Sequence, residues 1–254
     1  MRTILVIGIG AGNPDHMTVQ AIAALNRAEV LFFLDKGEQA ADLIRLREEI
    51  CTRFIEKPGY RIVRADSPKR DAARQDYRAG VTEWHDARAE LYARLMADEL
   101  GEDGVGAFLV WGDPSLYDST LRILDQVHAA DTVPFEVEVI PGVSALHALT
   151  AAHRIPLNAI GEPVLVTTGR RLAEGFPEDF STIAVLLDDG TGLASVLERE
   201  LEIHWGAYLG TPDQMLRAGP VQEIGGAILE DRRAARLRKG WIMDTYLLRR
   251  RLPI

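Results

Sequence analysis

Thr3-Ile4-Leu5-Val6-Ile7-Gly8-Ile9-Gly10-Ala11-Gly12 is the stretch that decides the fold. An uncharged apolar run enters a turn with glycine at every second position, the pattern of a buried strand that ends where the backbone must turn tightly. Met17, Val19, Ile22, Ala23 and Leu25 follow at helical spacing. Strand, glycine turn and helix in that order open an α/β unit built on a mostly parallel sheet. Although Arg2 precedes the run, the glycines interrupt it too often for the apolar core of a secretory signal.

Outward from there, the first half keeps the same alternation. Strands are predicted at residues 4–9, 30–34, 107–111 and 135–140, and helices at 38–52 and from Gly80 to near Gly101. On the second helix Val81, Trp84, Ala87, Leu91 and Leu95 share an apolar face. Pro58, Gly59, Ser67 and Pro68 mark the intervening stretch as loops. After Ile155-Pro156-Leu157 the pattern restarts, with strands predicted at 164–168, 183–187, 207–209 and 242–248 and a charged helix at 230–239. The expected fold is α/β with two α/β domains and a cleft between them. Residues 1–140 form the first domain, 141–160 a linker and 161–254 the second.

Composition limits the function. The 254 residues are 47% hydrophobic and 26% charged, ordinary values for a folded protein. The net charge of -9 argues against nucleic acid and anionic membrane as partners, since both surfaces are negative. It leaves room for a small acidic ligand held by a local arginine patch. A single cysteine, Cys51, excludes an internal disulfide and a cysteine-rich metal cage, and points to a reducing, cytoplasmic compartment. No apolar run approaches the length of about 18 residues needed to span a membrane. None of the six histidines has a metal-ligand spacing, and His147 with His153 reads as helix packing.

Three loops carry the chemistry. Gly8-Ile9-Gly10-Ala11-Gly12 resembles a dinucleotide fingerprint, but Asn13 stands where that motif needs its third glycine and Asp35 lies beyond the expected acidic position. Gly112-Asp113-Pro114-Ser115-Leu116-Tyr117 follows one predicted strand, and Pro141-Gly142-Val143-Ser144-Ala145 follows another. Each sits past the carboxyl end of a parallel strand, where open α/β sheets bind ligands. Asp113 and Ser144 are equally suited to capping the helices that follow.

In this order these loops resemble the tetrapyrrole methylases, a class III methyltransferase family that acts on siroheme and corrin precursors. Val166-Thr167-Thr168-Gly169 and Tyr208-Leu209-Gly210-Thr211-Pro212 extend the resemblance to the second half. Gly10-Ala11-Gly12 departs from the family's usual Gly-Pro-Gly. The stretch from Asp66 through Lys69, Arg70 and Asp71 to Tyr77, Trp84, His85 and Arg88 resembles the branch that methylates carbon 1 of precorrin-5 and expels acetate. So does Gly206 to Leu216.

The resemblance implies S-adenosyl-L-methionine as cofactor, with S-adenosyl-L-homocysteine as product, and a homodimer. It places Gly10, Gly12, Trp111, Gly112, Asp113, Leu116, Ser144, Ala145 and Gly210 around the cofactor. Loss of acetate requires water to add to a carbonyl, hence a general base, for which His85, Asp71 and Asp35 are the candidates. Arg70 and Arg74, spaced to share a helix face, and Tyr117 are expected to hold the carboxylated substrate; a solvated face is the other reading of those arginines. Two alternatives remain open: a sibling methyltransferase acting on another target, and a nicotinamide-dependent oxidoreductase.

Overall fold

The computed structural model describes residues 1–35, 41–68 and 77–250. The chain divides into two compact units. Met1–Gly10 with Pro14–Val143 form the first, and Ala11–Asn13 with the chain from Ser144 form the second. Of the stretch expected as a linker, residues 141–143 count with the first unit and 144–160, which carry a helix, with the second.

In the first unit the chain runs β1 (Arg2–Gly8), α1 (Val19–Leu25), β2 (Val30–Asp35), α2 (Ala41–Phe54), β3 (Arg61–Asp66), α3 (Tyr77–Glu99), β4 (Val105–Val110), α4 (Thr120–Ala129) and β5 (Phe135–Ile140). The strands form one parallel sheet in the order β3-β2-β4-β1-β5. Successive side chains of a strand point to opposite faces, so β1 feeds two cores. Leu5 and Ile7 pack with Ala21 and Leu25 of α1 and Ile50 and Cys51 of α2. Ile4 and Val6 pack with Tyr92 and Met96 of α3 and Ile123 and Leu124 of α4. On that second face Tyr92 stacks on Phe108 at 4.3 Å between ring centroids, and Phe108 meets Phe32 at 5.1 Å. Thr18 starts α1 by accepting from the Ala21 N–H at 3.0 Å.

β3 occupies a stretch the sequence reading assigned to loops. Arg-Ile-Val-Arg-Ala-Asp carries three charges, and its exposed residues 61, 64 and 66 lie on a sheet edge, where charge blocks edge-to-edge pairing. Those charges hide this strand from an apolar-run search.

The second unit contains α5 (Ala145–His153), β6 (Val164–Thr168), α6 (Gly169–Glu174), β7 (Thr182–Leu186), α7 (Thr191–Ala194), β8 (Leu201–Ala207), β9 (Met215–Pro220), α8 (Val221–Lys239) and β10 (Asp244–Arg250). Its sheet is mixed, in the order β6-β7-β10-β8-β9: β6 and β7 are parallel and the other pairs antiparallel. The strand expected at 207–209 is instead the end of β8, because Tyr208 turns to φ 49° and leaves the sheet. β9, ending in Gly-Pro at the sheet edge, was not anticipated.

Beneath this sheet lies a buried polar network. The Asp188 carboxylate accepts from the backbone N–H groups of Gly190, Gly192 and Leu193, each at 3.0 Å, and from the Tyr246 hydroxyl at 2.7 Å. Arg232 bridges the Asp188 carbonyl and the Asp244 carboxylate, which also accepts from the Trp205 indole at 2.7 Å. Arg232 and Asp244 side chains are only 5% and 3% exposed. Burial pushes the Asp244 carboxyl up to about 6, with Arg232 and Trp205 pulling the other way. Between pH 4 and 6 the folded chain thus retains a proton that the unfolded chain has released, and this group's contribution to stability falls as pH rises through that window.

Arg232→Met leaves the Asp244 carboxylate buried on one indole donor. Loss of one partner of a buried pair costs about 3–5 kcal/mol. Urea denaturation of the variant is expected to show that loss at pH 7.5 and a smaller one at pH 5, where Asp244 takes up a proton.

Candidate active site

The strand order of the first unit creates a topological switch point. β1 connects through α1 to β2 on one side, and β4 connects through α4 to β5 on the other, although β1 and β4 are neighbours. The two helices lie on opposite faces of the sheet. Loops leaving two adjacent strands in opposite directions open a crevice at their carboxyl ends, the usual ligand position in such sheets.

At the strand ends backbone meets backbone. Past the strand ends, Gly10 and Gly112 exchange hydrogen bonds, Gly112 N–H to Gly10 carbonyl at 2.8 Å and the reverse at 3.3 Å. Gly142, after β5, presses against both neighbouring strand ends. A Cβ on Gly142 would stand 2.2 Å from the Gly112 carbonyl oxygen, and one on Gly8 would stand 2.6 Å from the Gly142 nitrogen. Neither obstacle is a flexible side chain, so these positions admit only glycine. Asp113 fastens the arrangement. One of its carboxylate oxygens accepts from the Gly142 N–H at 2.9 Å, and the other accepts from the Ser115 N–H at 2.8 Å and from the Ser115 hydroxyl. Asp113 is thus a bridge between two loops as well as the head of a turn.

The loop continues through Tyr117, which is 42% exposed and held at φ 54°, to Asp118 and Ser119. Asp118 accepts from the Thr120 N–H at 2.7 Å, while Ser119 accepts from Arg88 of α3 at 2.9 Å. Arg88 is buried, lies over the rings of Trp84 and Tyr92 at 4.8 and 5.3 Å, and donates to the Tyr92 hydroxyl at 2.6 Å. Trp111 and Leu116 are half-buried. Burial raises the Tyr117 phenol, so it stays protonated at neutral pH.

In the second unit, Ser144 caps α5 by accepting from the His147 N–H at 3.4 Å, and its hydroxyl lies 2.7 Å from His147 Nδ1. His147 is exposed, which corrects its assignment to helix packing. His153 bonds the Trp205 carbonyl at 2.9 Å and stands edge-on to His204. Ala145 begins α5. Gly210, at φ 76°, donates to the Gln214 side chain at 2.8 Å in the turn after β8.

Of the expected bases, Asp35 ends β2 in register with Asp66 of β3, and its carbonyl accepts from the Ser67 N–H at 2.8 Å. His85 lies on α3 against Trp84, with ring centroids 5.2 Å apart. Burial lowers its pKa, and the charges of Arg88 and Arg122 lower it further. Asp71, Arg70 and Arg74 lie outside the described residues. The sequence reading passed over His16. It occupies a 3-10 turn (Pro14–His16), and its Cβ fills the space beside Gly10, 2.3 Å from where a Cβ on that glycine would stand. Its place four residues past Gly12 was the available signal.

The fold and site define a known class: the chain belongs to the tetrapyrrole (corrin/porphyrin) methylases, whose family profile matches residues 3–225. Within that family it is 52% identical over 250 residues to a Sinorhizobium protein named precorrin-6A synthase [deacetylating], covering 98% of this chain and 96% of the relative. The crystal structure of a cobalamin synthesis related protein (CobF) from Corynebacterium diphtheriae superimposes with a TM-score of 0.84 at 43% identity, over 98% of each chain. A uroporphyrin-III C-methyl transferase from Thermus thermophilus, solved with S-adenosylhomocysteine, shares the fold with a TM-score of 0.58 at 19% identity, over 97% of this chain and 96% of that one.

Gly142→Ala is expected to destabilise the first unit, since overpacking against rigid backbone costs about 1–3 kcal/mol or more. Gly101→Ala, where a Cβ meets nothing within 4 Å, is the matched control. Thermal melting of the two variants side by side checks this.

Proposed function

We propose that this chain is an S-adenosylmethionine-dependent C-methyltransferase of cobalamin biosynthesis that methylates precorrin-5 at carbon 1 and releases acetate, giving precorrin-6A and S-adenosylhomocysteine. The observation that carries the reading is the 52% identity, nearly end to end, with the relative named precorrin-6A synthase [deacetylating].

The residues present fit the cofactor. At the switch point Gly8, Gly10 and Gly142 pack so closely on protein atoms that a single Cβ would strike them, so these strand ends have only backbone groups to offer a small ligand. The arrangement does not suit a dinucleotide. Helix α1 begins at Val19, beyond Gly12 and a separate 3-10 turn, so no helix N-terminus directly follows the glycines to receive a pyrophosphate. That observation counts against the nicotinamide alternative. The residues proposed to hold the cofactor are Gly10, Gly12, Trp111, Gly112, Asp113, Leu116, Ser144, Ala145 and Gly210. When bound, S-adenosylmethionine supplies an electrophilic methyl group.

The chain's own contribution is chiefly orientation, which lowers a barrier by fixing the reacting groups before the chemical step. Asp113 and the glycine contacts set the loop that carries Leu116 and Tyr117. Arg70, Arg74 and Tyr117 are the groups proposed to face the substrate's peripheral carboxylates, because a chain of net charge -9 needs local donors to hold a polyanion. For acetate release the sequence offers His85, Asp71 and Asp35. His85, with its lowered pKa, is neutral at pH 7 and in the form that accepts a proton. We further infer a homodimer, by family likeness, working in the cytoplasm. Cys51 is the chain's single cysteine, so no internal disulfide calls for an oxidising compartment, and among the described residues no helix is long and apolar enough to cross a membrane.

Incubation with precorrin-5 and methyl-labelled S-adenosylmethionine tests the reading. One label per product and one acetate per methyl are expected; label transfer without acetate would assign the chain to a different precorrin carbon. Asp113→Ala is expected to weaken S-adenosylhomocysteine binding roughly ten- to a hundredfold, because charged hydrogen bonds worth about 1.5–3 kcal/mol set the loop. Isothermal titration calorimetry reads that change.

A further inference from the structure

His16 packs against the first glycine loop. Its imidazole Nδ1 lies 3.4 Å from where a Cβ on Gly10 would stand, beside the Gly10–Gly112 hydrogen bonds at the switch point. Nδ1 is buried and has no hydrogen-bond partner among the described residues. A buried polar atom left unpaired is costly, and it persists where a function supplies the partner. Among the described residues the other buried side-chain atoms without partners belong to Arg88, Gln126, Ser181, His204 and Arg249; His16 is pressed against Gly10. Burial lowers its pKa below the ordinary imidazole value, against the opposing effect of the adjacent Asp15 carboxylate. Asp15 is itself paired with Arg53, which reaches over from α2, so the charges around the ring partly cancel. At neutral pH the imidazole is uncharged.

We propose that His16 is the general base that takes a proton from the water that removes the acetyl group. The inference rests on the function proposed above and deepens it. The water proton passes to the imidazole as the water oxygen bonds to the acyl carbon. The bond from that carbon to the macrocycle then breaks, its electron pair stays with the macrocycle, and the two-carbon fragment leaves as acetic acid, which ionises to acetate. The competing base, His85, lies on α3 against Trp84.

The test compares wild type, His16→Gln and His85→Gln, following acetate release from precorrin-5 and S-adenosylhomocysteine binding by calorimetry. General-base catalysis contributes about 10²–10⁴-fold. His16→Gln is therefore expected to slow acetate release about 100-fold or more, while cofactor affinity changes no more than about twofold. His16→Ala keeps the Cβ that packs on Gly10, and added imidazole is expected to restore acetate release in it. If His16→Gln fails to fold, that alanine variant with and without imidazole decides. Acetate release at the wild-type rate in either His16 variant, or a loss confined to His85→Gln, overturns the proposal and leaves the function standing. Wild-type chain that releases no acetate from precorrin-5 brings down both.

Discussion

Three strand ends of the first sheet converge so tightly that backbone touches backbone. Gly8, Gly112 and Gly142 meet at distances that exclude even a methyl group, and one carboxylate, that of Asp113, ties the loop after β4 to the loop after β5. The rest of the candidate site depends on this contact. Because the obstacles are carbonyl oxygens and amide nitrogens, the geometry cannot relax as a side-chain cluster would. The loops therefore leave the sheet along fixed paths, and Tyr117, Asp118 and Ser119 inherit their positions from it. Arg88 secures the far end of the same loop from α3.

This arrangement divides labour between scaffold and chemistry. A sulfonium methyl group needs little activation, so a protein serving it gains most by holding reactants in line. A rigid, glycine-lined edge does that without catalytic side chains. Removal of an acyl group is different, since it requires a proton acceptor, and neutral imidazoles suit that task. Burial lowers the pKa of both His16 and His85, and His16 is packed on the glycine loop. The second unit solves a separate problem. Its mixed sheet is pinned from beneath by Asp188, Arg232, Asp244, Trp205 and Tyr246, a network in which the aspartate carboxylates have their donors within the core. Such networks fix one arrangement of the elements around them, at the cost of stability if any member is removed.

The sequence by itself determined the alternating strand and helix pattern, the glycine turn after β1 and the two further loops, because these depend on local periodicity and backbone freedom. It also determined the family, through motifs spread along the whole chain. β3 and β9 escaped it, since the charges of β3 and the Gly-Pro end of β9 interrupt the apolar run, whereas the edge strands β5 and β6 keep enough apolar residues to be read. Only the tertiary structure decided what the motifs do together. That Asp113 spends its oxygens on Gly142 and Ser115, that His147 faces solvent from a serine cap, and that an unremarked His16 lies against Gly10 are consequences of strand order. Neighbours in the sheet are distant in the chain, and spacing along a sequence carries no information about which loops a crossover will bring to the same edge.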